Sequence, residues 1–366
     1  MAPIWSNQPL KGVFITLHIL RTLVILPFLL IRYAPKSTRP FPEWSLKQCV
    51  INALVRQLLV YCTATRSTGM SIVDSDHKKT KDRYALAEPT DADTYSGSLS
   101  PNVAQPAPVG GLWYPAPIPI GSSSEEKVVL YFPGGGFVLA FGQEMYGKPV
   151  SKAMSKYLGS RTFFAQYRLS TDDTTRFPAA LQDLVTFYTY ILSLGIKPGN
   201  VILSGDSAAG NLVIALLRYL EASPKLPLPR GAIVWSPWVH VTPHADAEYA
   251  VSRNAASDSL TAPFLQWGAM SYLPKHEPTP EELAYISPLH HPFRTRVPLI
   301  IQAGTGEGFY DTIKEFADEM VQIEDNPVKF LSTDFMSHNL IMAYDGLGLE
   351  SEVESVLLEA VSFFEL

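Results

Sequence analysis

The chain is poor in cysteine and in charge. Cys49 and Cys62 are the only two cysteines among 366 residues. Both fall in a stretch with helical patterning, which sets them about 20 Å apart at ~1.5 Å rise per residue, too far for a disulfide. They are expected to be structural thiols of a reduced compartment. No Asn-x-Ser/Thr sequon occurs, so nothing points to a glycosylated secreted domain. Charged residues make up 17% and the net charge is -6, without the basic surplus that nucleic-acid binding needs. Hydrophobic residues, at 46%, are ample for a large core and exclude global disorder. No Gly-Lys-Ser/Thr follows the one glycine run, which argues against a phosphate loop. No internal repeat is present.

One long hydrophobic run does occur, GVFITLHILRTLVILPFLLI at residues 12–31. Twenty residues just suffice to cross a bilayer as a helix. His18, Arg21 and Pro27 interrupt the run, and a mid-span arginine costs a few kcal/mol. No small-residue cleavage site follows, so a signal peptide is disfavoured. Three readings stand: a single-span anchor, which is preferred, an amphipathic segment lying in the interface, and an arm packed on the body. Lys11 before the run against Arg32, Lys36 and Arg39 after it places the body on the cytoplasmic side. Residues 1–40 are thus expected to form a membrane anchor or arm.

Residues 43–62 carry apolar side chains at helical spacing, with Leu46, Val50, Leu54 and Leu58 on one side. This helix is expected to cap an apolar pocket, dock on a membrane or pack on the body. Residues 66–124 are rich in Ser, Thr, Asp, Pro and Gly, and read as loops with short edge strands. From 127 onward the texture alternates. Strands are expected at 127–132, 162–169, 201–205, 232–238, 297–304 and 328–335, and helices near 148–158, 177–194, 208–222, 309–323 and 350–364. Such alternation predicts a mostly parallel sheet covered on both faces. Residues 240–290 break it and read as a helical insertion over the site.

Two motifs carry chemistry. In VILSGDSAAGNL (201–212), Ser207 lies between strand and helix with Gly205 two residues earlier, the setting of a nucleophile elbow. The bland alternative is that Ser207 only caps the helix. Ala209 stands where a fifth-position glycine is usual. The second motif, FPGGGF (132–137), follows the first strong strand. Gly134, Gly135 and Gly136 can aim bare N–H groups at one point, as an oxyanion hole requires, with Ala208 N–H as a further donor. Gly135 and Gly136 are the preferred donors of the three.

Taken in order, YFPGGGF, YRLSTDDTTRFPAALQD, LSGDSAAGN, SPW (236–238), SRNAASDSLT, GTGEGFYD and SHNL resemble the hormone-sensitive-lipase group of α/β-hydrolases, which includes arylacetamide deacetylase-like and bacterial esterases. The resemblance spans about 127–345. It implies the α/β-hydrolase fold over 41–366, with cap elements at about 41–90 and 240–290. It also implies a Ser–acid–His order, which assigns the acid to Glu307 in preference to Asp311, and the base to His338. Pro133 stands where the group usually has His, and His240 where it tends to have Asp, so rate and substrate are the properties expected to depart. The remaining histidines have no ligand set around them, and neither metal nor cofactor is expected.

The implied chemistry is hydrolysis of an ester, thioester or acetylated small molecule of apolar character; Trp267, Tyr272 and Tyr285 of the cap-like segments are expected either to line the pocket or to belong to the core. Two alternatives stay open: acyl transfer or cyclisation on a secondary metabolite, and a non-catalytic ligand-binding protein on the same fold.

Overall fold

The computed structural model describes residues 3–69, 80, 82–119, 125–223 and 225–366. Parts of the loop-rich stretch 66–124, His77 among them, lie outside the described residues. Eight strands form one sheet: β1 Tyr84–Ala87, β2 Val109–Tyr114, β3 Val128–Phe132, β4 Arg161–Gln166, β5 Val201–Asp206, β6 Gly231–Trp235, β7 Leu299–Gly304 and β8 Val328–Thr333. Their spatial order is β1-β2-β4-β3-β5-β6-β7-β8. β2 runs antiparallel to β1 and β4, and every pairing from β4 to β8 is parallel.

Eleven helices accompany the sheet among the described residues: α1 Leu10–Tyr33, α2 Leu46–Thr65, α3 Gln143–Leu158, α4 Ala179–Ser193, α5 Ala208–Ala222, α6 Ala245–Ala250, α7 Ala262–Tyr272, α8 Pro280–Ile286, α9 Tyr310–Val321, α10 Leu340–Leu347 and α11 Glu350–Phe363. β2, β3, β5, β6 and β7 are buried along their whole length because helices cover both faces, while the edge strands β1 and β8 are only partly buried. Leu184, Val213 and Ile313 of α4, α5 and α9 fill one side of the sheet. Met154, Leu340 and Leu357 of α3, α10 and α11 fill the other.

The expected alternation is present, with three differences. The strands expected to reach 169, 238 and 335 end at Gln166, Trp235 and Thr333. Their apolar patterning continues into loops that leave the carboxyl edge of the sheet, buried at Tyr167 and at residues 236–238 but exposed at Phe335. α3 begins upstream of the expected 148, because Pro149 sits inside the helix instead of opening it. α10 was not anticipated; it is too short for its periodicity to stand out from the preceding loop.

The YRL…FPAALQD segment is held by a buried ion pair. The Arg168 guanidinium meets the Asp183 carboxylate, Nη2–Oδ1 2.7 Å, and the Arg168 backbone N–H donates to Asp183 Oδ2 at 2.7 Å. Asp183 is fully buried on α4, so this pair locks the end of β4 to the helix that crosses behind the sheet. Removing the Arg168 guanidinium strands the buried Asp183 carboxylate. Arg168→Met is expected to lower unfolding stability by about 3–5 kcal/mol, read by denaturant titration.

Candidate active site

Parallel α/β sheets present their loops, and hence their ligand sites, at the carboxyl ends of the strands. Here the ends of β3, β5, β7 and β8 deliver the glycine run, Ser207, Glu307 and His338 to one place.

Ser207 occupies the turn between β5 and α5 with φ 53° and ψ -122°, a backbone conformation that a non-glycine residue adopts only under constraint. Two features impose it. A side chain at Gly205 would lie 2.7 Å from Ala209 O, so only glycine lets strand and helix approach this closely. The turn is also pinned by the end of β6: Ser207 N–H donates to Trp235 O (2.9 Å) and Trp238 N–H donates to Ser207 O (2.9 Å). That contact gives SPW a physical role. Asn211 fastens the same region by donating to Trp238 O and Ile286 O, both at 2.9 Å. The methyl of Ala209 is accommodated and fully buried.

The Ser207 side chain does not cap α5. Its Oγ lies 2.9 Å from His338 Nε2, and His338 Nδ1 lies 2.8 Å from Glu307 Oε2. Glu307 Oε1 accepts from Gly304 N–H at 2.6 Å. All three side chains are buried. Asp311, the other acidic candidate, lies on the surface in the first turn of α9 and pairs with Arg253 at 2.9 Å.

Two further carboxylates, to which sequence reasoning gave no role, organise this chain. Asp258 is wholly buried. Its Oδ1 accepts from His338 N–H (2.9 Å) and Ser259 N–H (2.7 Å); its Oδ2 accepts from Gly308 N–H and Tyr249 O–H, both at 2.9 Å. It therefore ties the insertion to the residue after Glu307 and to His338 itself. Asp258 lies within SRNAASDSLT, which was visible as a motif, but its partners are 50 and 80 residues away. Asp206, beside the serine, accepts from Tyr131 O–H (2.5 Å), Gly134 N–H (3.0 Å) and Asn339 Nδ2–H. Burial pushes the Asp206 carboxyl above its ordinary value, against the pull of these donors.

The glycine run divides accordingly. Gly134 N–H is committed to Asp206, which corrects the expectation that it donates to a substrate oxyanion. A Cβ at Gly134 would also lie 2.9 Å from Ser207 Cβ, so the loop passes directly against the serine. Among the described residues, no protein acceptor meets the N–H groups of Gly135, Gly136 or Ala208. Gly135 (φ +147°) and Gly136 (φ +58°) adopt conformations that favour glycine.

Burial disfavours the charged form of His338. The hydrogen bond and charge of Glu307, with Asp258 and Asp206 adding, outweigh it and hold the imidazole above its ordinary value.

A cavity of about 410 Å³ opens over Ser207 and His338. Its walls come from α2 (Ile51, Val55, Leu58), α3 (Met145), Phe264 and α10 (Met342). Trp267, Tyr272 and Tyr285 do not line it. Tyr272 stacks on Phe137 with centroids 3.8 Å apart, Tyr285 is core, and Trp267 carries the Arg66 guanidinium. These aromatics join the insertion to the body, and the pocket wall falls to α2, one of its expected roles. His240 lies outside this cavity as well, in a separate one with His276, His290 and His291. The departure at His240 therefore lies outside the lining of the Ser207 cavity. Among the described residues, His290, Glu315 and Glu319 place three possible metal-ligating atoms within 4.8 Å of one another. His290 is exposed and its Nδ1 is engaged by Glu319 at 2.8 Å.

The chain belongs to the alpha/beta hydrolase fold family, whose model matches residues 129–342. It is 32% identical over 185 residues to an acetyl-hydrolase of Streptomyces hygroscopicus, covering 50% of this chain and 58% of that protein. It is 28% identical over 206 residues to an esterase of Acinetobacter venetianus, covering 55% of this chain and 64% of that protein. The chain thus matches less than two thirds of the length of either relative. An esterase structure from the bacterial hormone-sensitive lipase family superposes with a TM-score of 0.60 at 22% identity, over 86% of this chain and 98% of that one.

Titration of His338, followed by NMR of its imidazole, is expected to fall above the ordinary histidine value. Asp258→Asn and Glu307→Gln each remove a neighbouring negative charge and are expected to lower it.

Proposed function

We propose that the chain is a serine hydrolase of carboxylic esters, with Ser207 as nucleophile, His338 as base and Glu307 as the acid that orients the base. The observation that carries this reading is the unbroken buried relay from Ser207 Oγ to His338 to Glu307, at 2.9 and 2.8 Å. A protein that only binds a ligand has no use for a strained serine facing a histidine held above its ordinary value.

Ser207 Oγ attacks the ester carbonyl while His338 Nε2 takes its proton. Glu307 fixes the tautomer that leaves Nε2 free to accept, and stabilises the imidazolium that forms. The negative charge on the former carbonyl oxygen is met by the N–H groups of Gly135, Gly136 and Ala208. His338 then returns its proton to the leaving alcohol, and the acyl group remains on Ser207. Water deprotonated by the same base attacks that acyl group, and the expelled serine oxygen recovers the proton. The apolar cavity walls favour an ester with an apolar acyl or alcohol part. The acetyl-hydrolase relative supports a short acyl group.

We further read α1 as membrane-associated. It is long and apolar enough to cross a membrane, and none of its residues is buried. The mid-run charge that argued against insertion stays exposed and is engaged by α2: Arg21 Nη1 donates to Gln57 Oε1 at 2.6 Å, and the His18 ring lies 5.9 Å from Tyr61. α1 lies along α2, and α2 is bonded to the body. This favours a helix lying on the membrane over the isolated single span preferred from sequence.

On a short-chain p-nitrophenyl ester, Ser207→Ala and His338→Ala are each expected to lower kcat by at least about 10⁴-fold. Retained turnover in Ser207→Ala would sink the assignment. Attack requires neutral His338, and its imidazolium persists to higher pH than usual. The acid limb of kcat/KM is therefore expected above the ordinary histidine value, with rate lost as pH falls through it.

A further inference from the structure

The arm and the cavity meet at one helix, α2, which α1 contacts and which lines the cavity. Segment 1–42 holds five Lys or Arg residues and no Asp or Glu, in a chain of net charge -6. Arg21 and Arg39 are turned to protein, Arg39 donating to the carbonyls of Tyr33 and Trp44 at 2.8 and 2.6 Å. Arg32 and Lys36 are exposed at the end of α1. Val13, Leu17, Leu20, Val24, Phe28 and Ile31 recur at helical spacing as an exposed apolar stripe, each 49–72% accessible. The outward face of α1 is thus apolar and ends beside exposed cations, while Arg21 and His18 reach α2 and Phe14, Ile15, Ile25 and Leu29 are half-buried. A water-facing helix has the opposite arrangement; a helix at an anionic lipid surface has this one.

The neighbouring helix carries this surface to the site. α2 is fixed on the body by Arg56 Nη1, which donates to the carbonyls of Ala255, Asp258 and Leu260 at 2.8–3.0 Å, and by Asn52 Nδ2, which donates to Ser257 O at 2.6 Å. Val55 and Leu58 of α2 line the Ser207 cavity and are 37% and 42% accessible; Met145 on α3 lines it too and is 70% accessible. The rim of the cavity is therefore apolar and open beside the helix that α1 packs on.

We propose that α1 rests on an anionic bilayer and that substrate enters the cavity directly from the lipid, across the rim formed by α2 and α3. The substrate class is then an ester dissolved in the membrane. This rests on the reading of Ser207 as the nucleophile. It also commits the stripe to a lipid surface, with a second copy of the chain as the competing occupant.

The test uses the full chain with vesicles of phosphatidylcholine, with or without phosphatidylserine, and two probes: p-nitrophenyl acetate in water and a long-chain p-nitrophenyl ester dissolved in the vesicles. Wild type is expected to float with phosphatidylserine vesicles, more weakly with phosphatidylcholine alone, and to hydrolyse both esters. Leu20→Glu/Val24→Glu is expected to abolish flotation and to cut turnover of the vesicle ester at least about tenfold, leaving acetate turnover within about twofold. Arg32→Glu/Lys36→Glu is expected to remove the preference for phosphatidylserine. Wild type that stays off vesicles and sediments as a dimer through the stripe would overturn the proposal. So would a stripe variant that hydrolyses the vesicle ester as wild type does. Absence of acetate turnover in wild type would instead overturn the nucleophile reading, and this one with it.

Discussion

The site depends on one constraint: three carboxylates, Asp206, Asp258 and Glu307, are buried around a single imidazole. Each has been taken out of water, and each is compensated by donors converging from different segments. Asp258 receives Ser259, Gly308, His338 and Tyr249; Asp206 receives Tyr131, Gly134 and Asn339; Glu307 receives Gly304 and the imidazole. Leaving such a carboxylate unpaired costs several kcal/mol, so the loops after β3, β7 and β8 are held in register by the need to satisfy them. Their summed field also favours the imidazolium, the charge that develops when the proposed base takes the serine proton. The interactions that hold the loops together therefore also prepare the electrostatics of the step.

The strained turn at Ser207 is the second constraint, and it is met by packing. Gly205 admits the helix, Gly134 passes against the serine, and the end of β6 clamps the serine backbone from the other side. A positive φ at a non-glycine residue persists only where its surroundings over-determine it, and here three segments do so. The strain lifts Oγ away from the capping position and toward His338.

Much of the fold was legible from local patterning, because buried strands and crossover helices differ in length and β-branched content. That Ser207, His338 and Glu307 come together was legible because the neighbours of Ser207 are small and because resemblance supplied an order of residues. What escaped has a common origin. Asp258 and Asp206 act through donors distant in sequence, so no spacing announces them. Gly134 could not be separated from Gly135 and Gly136, since which amide stays free is decided by Asp206 across the fold. Trp267, Tyr272 and Tyr285 suggested a pocket by composition, but aromatic character does not say which face is turned inward. The polar interruptions of the N-terminal run looked like defects in a span. They are the contacts that lay α1 along α2.

Ser207 as a nucleophile activated by a buried imidazole is the central claim, and covalent labelling addresses it most directly. The full chain is incubated with a fluorophosphonate at neutral pH, and the modified peptide is mapped by mass spectrometry. One adduct on Ser207, absent in Ser207→Ala and strongly slowed in His338→Ala, is the predicted result. An adduct that persists in Ser207→Ala, or an unlabelled wild-type chain, would contradict it.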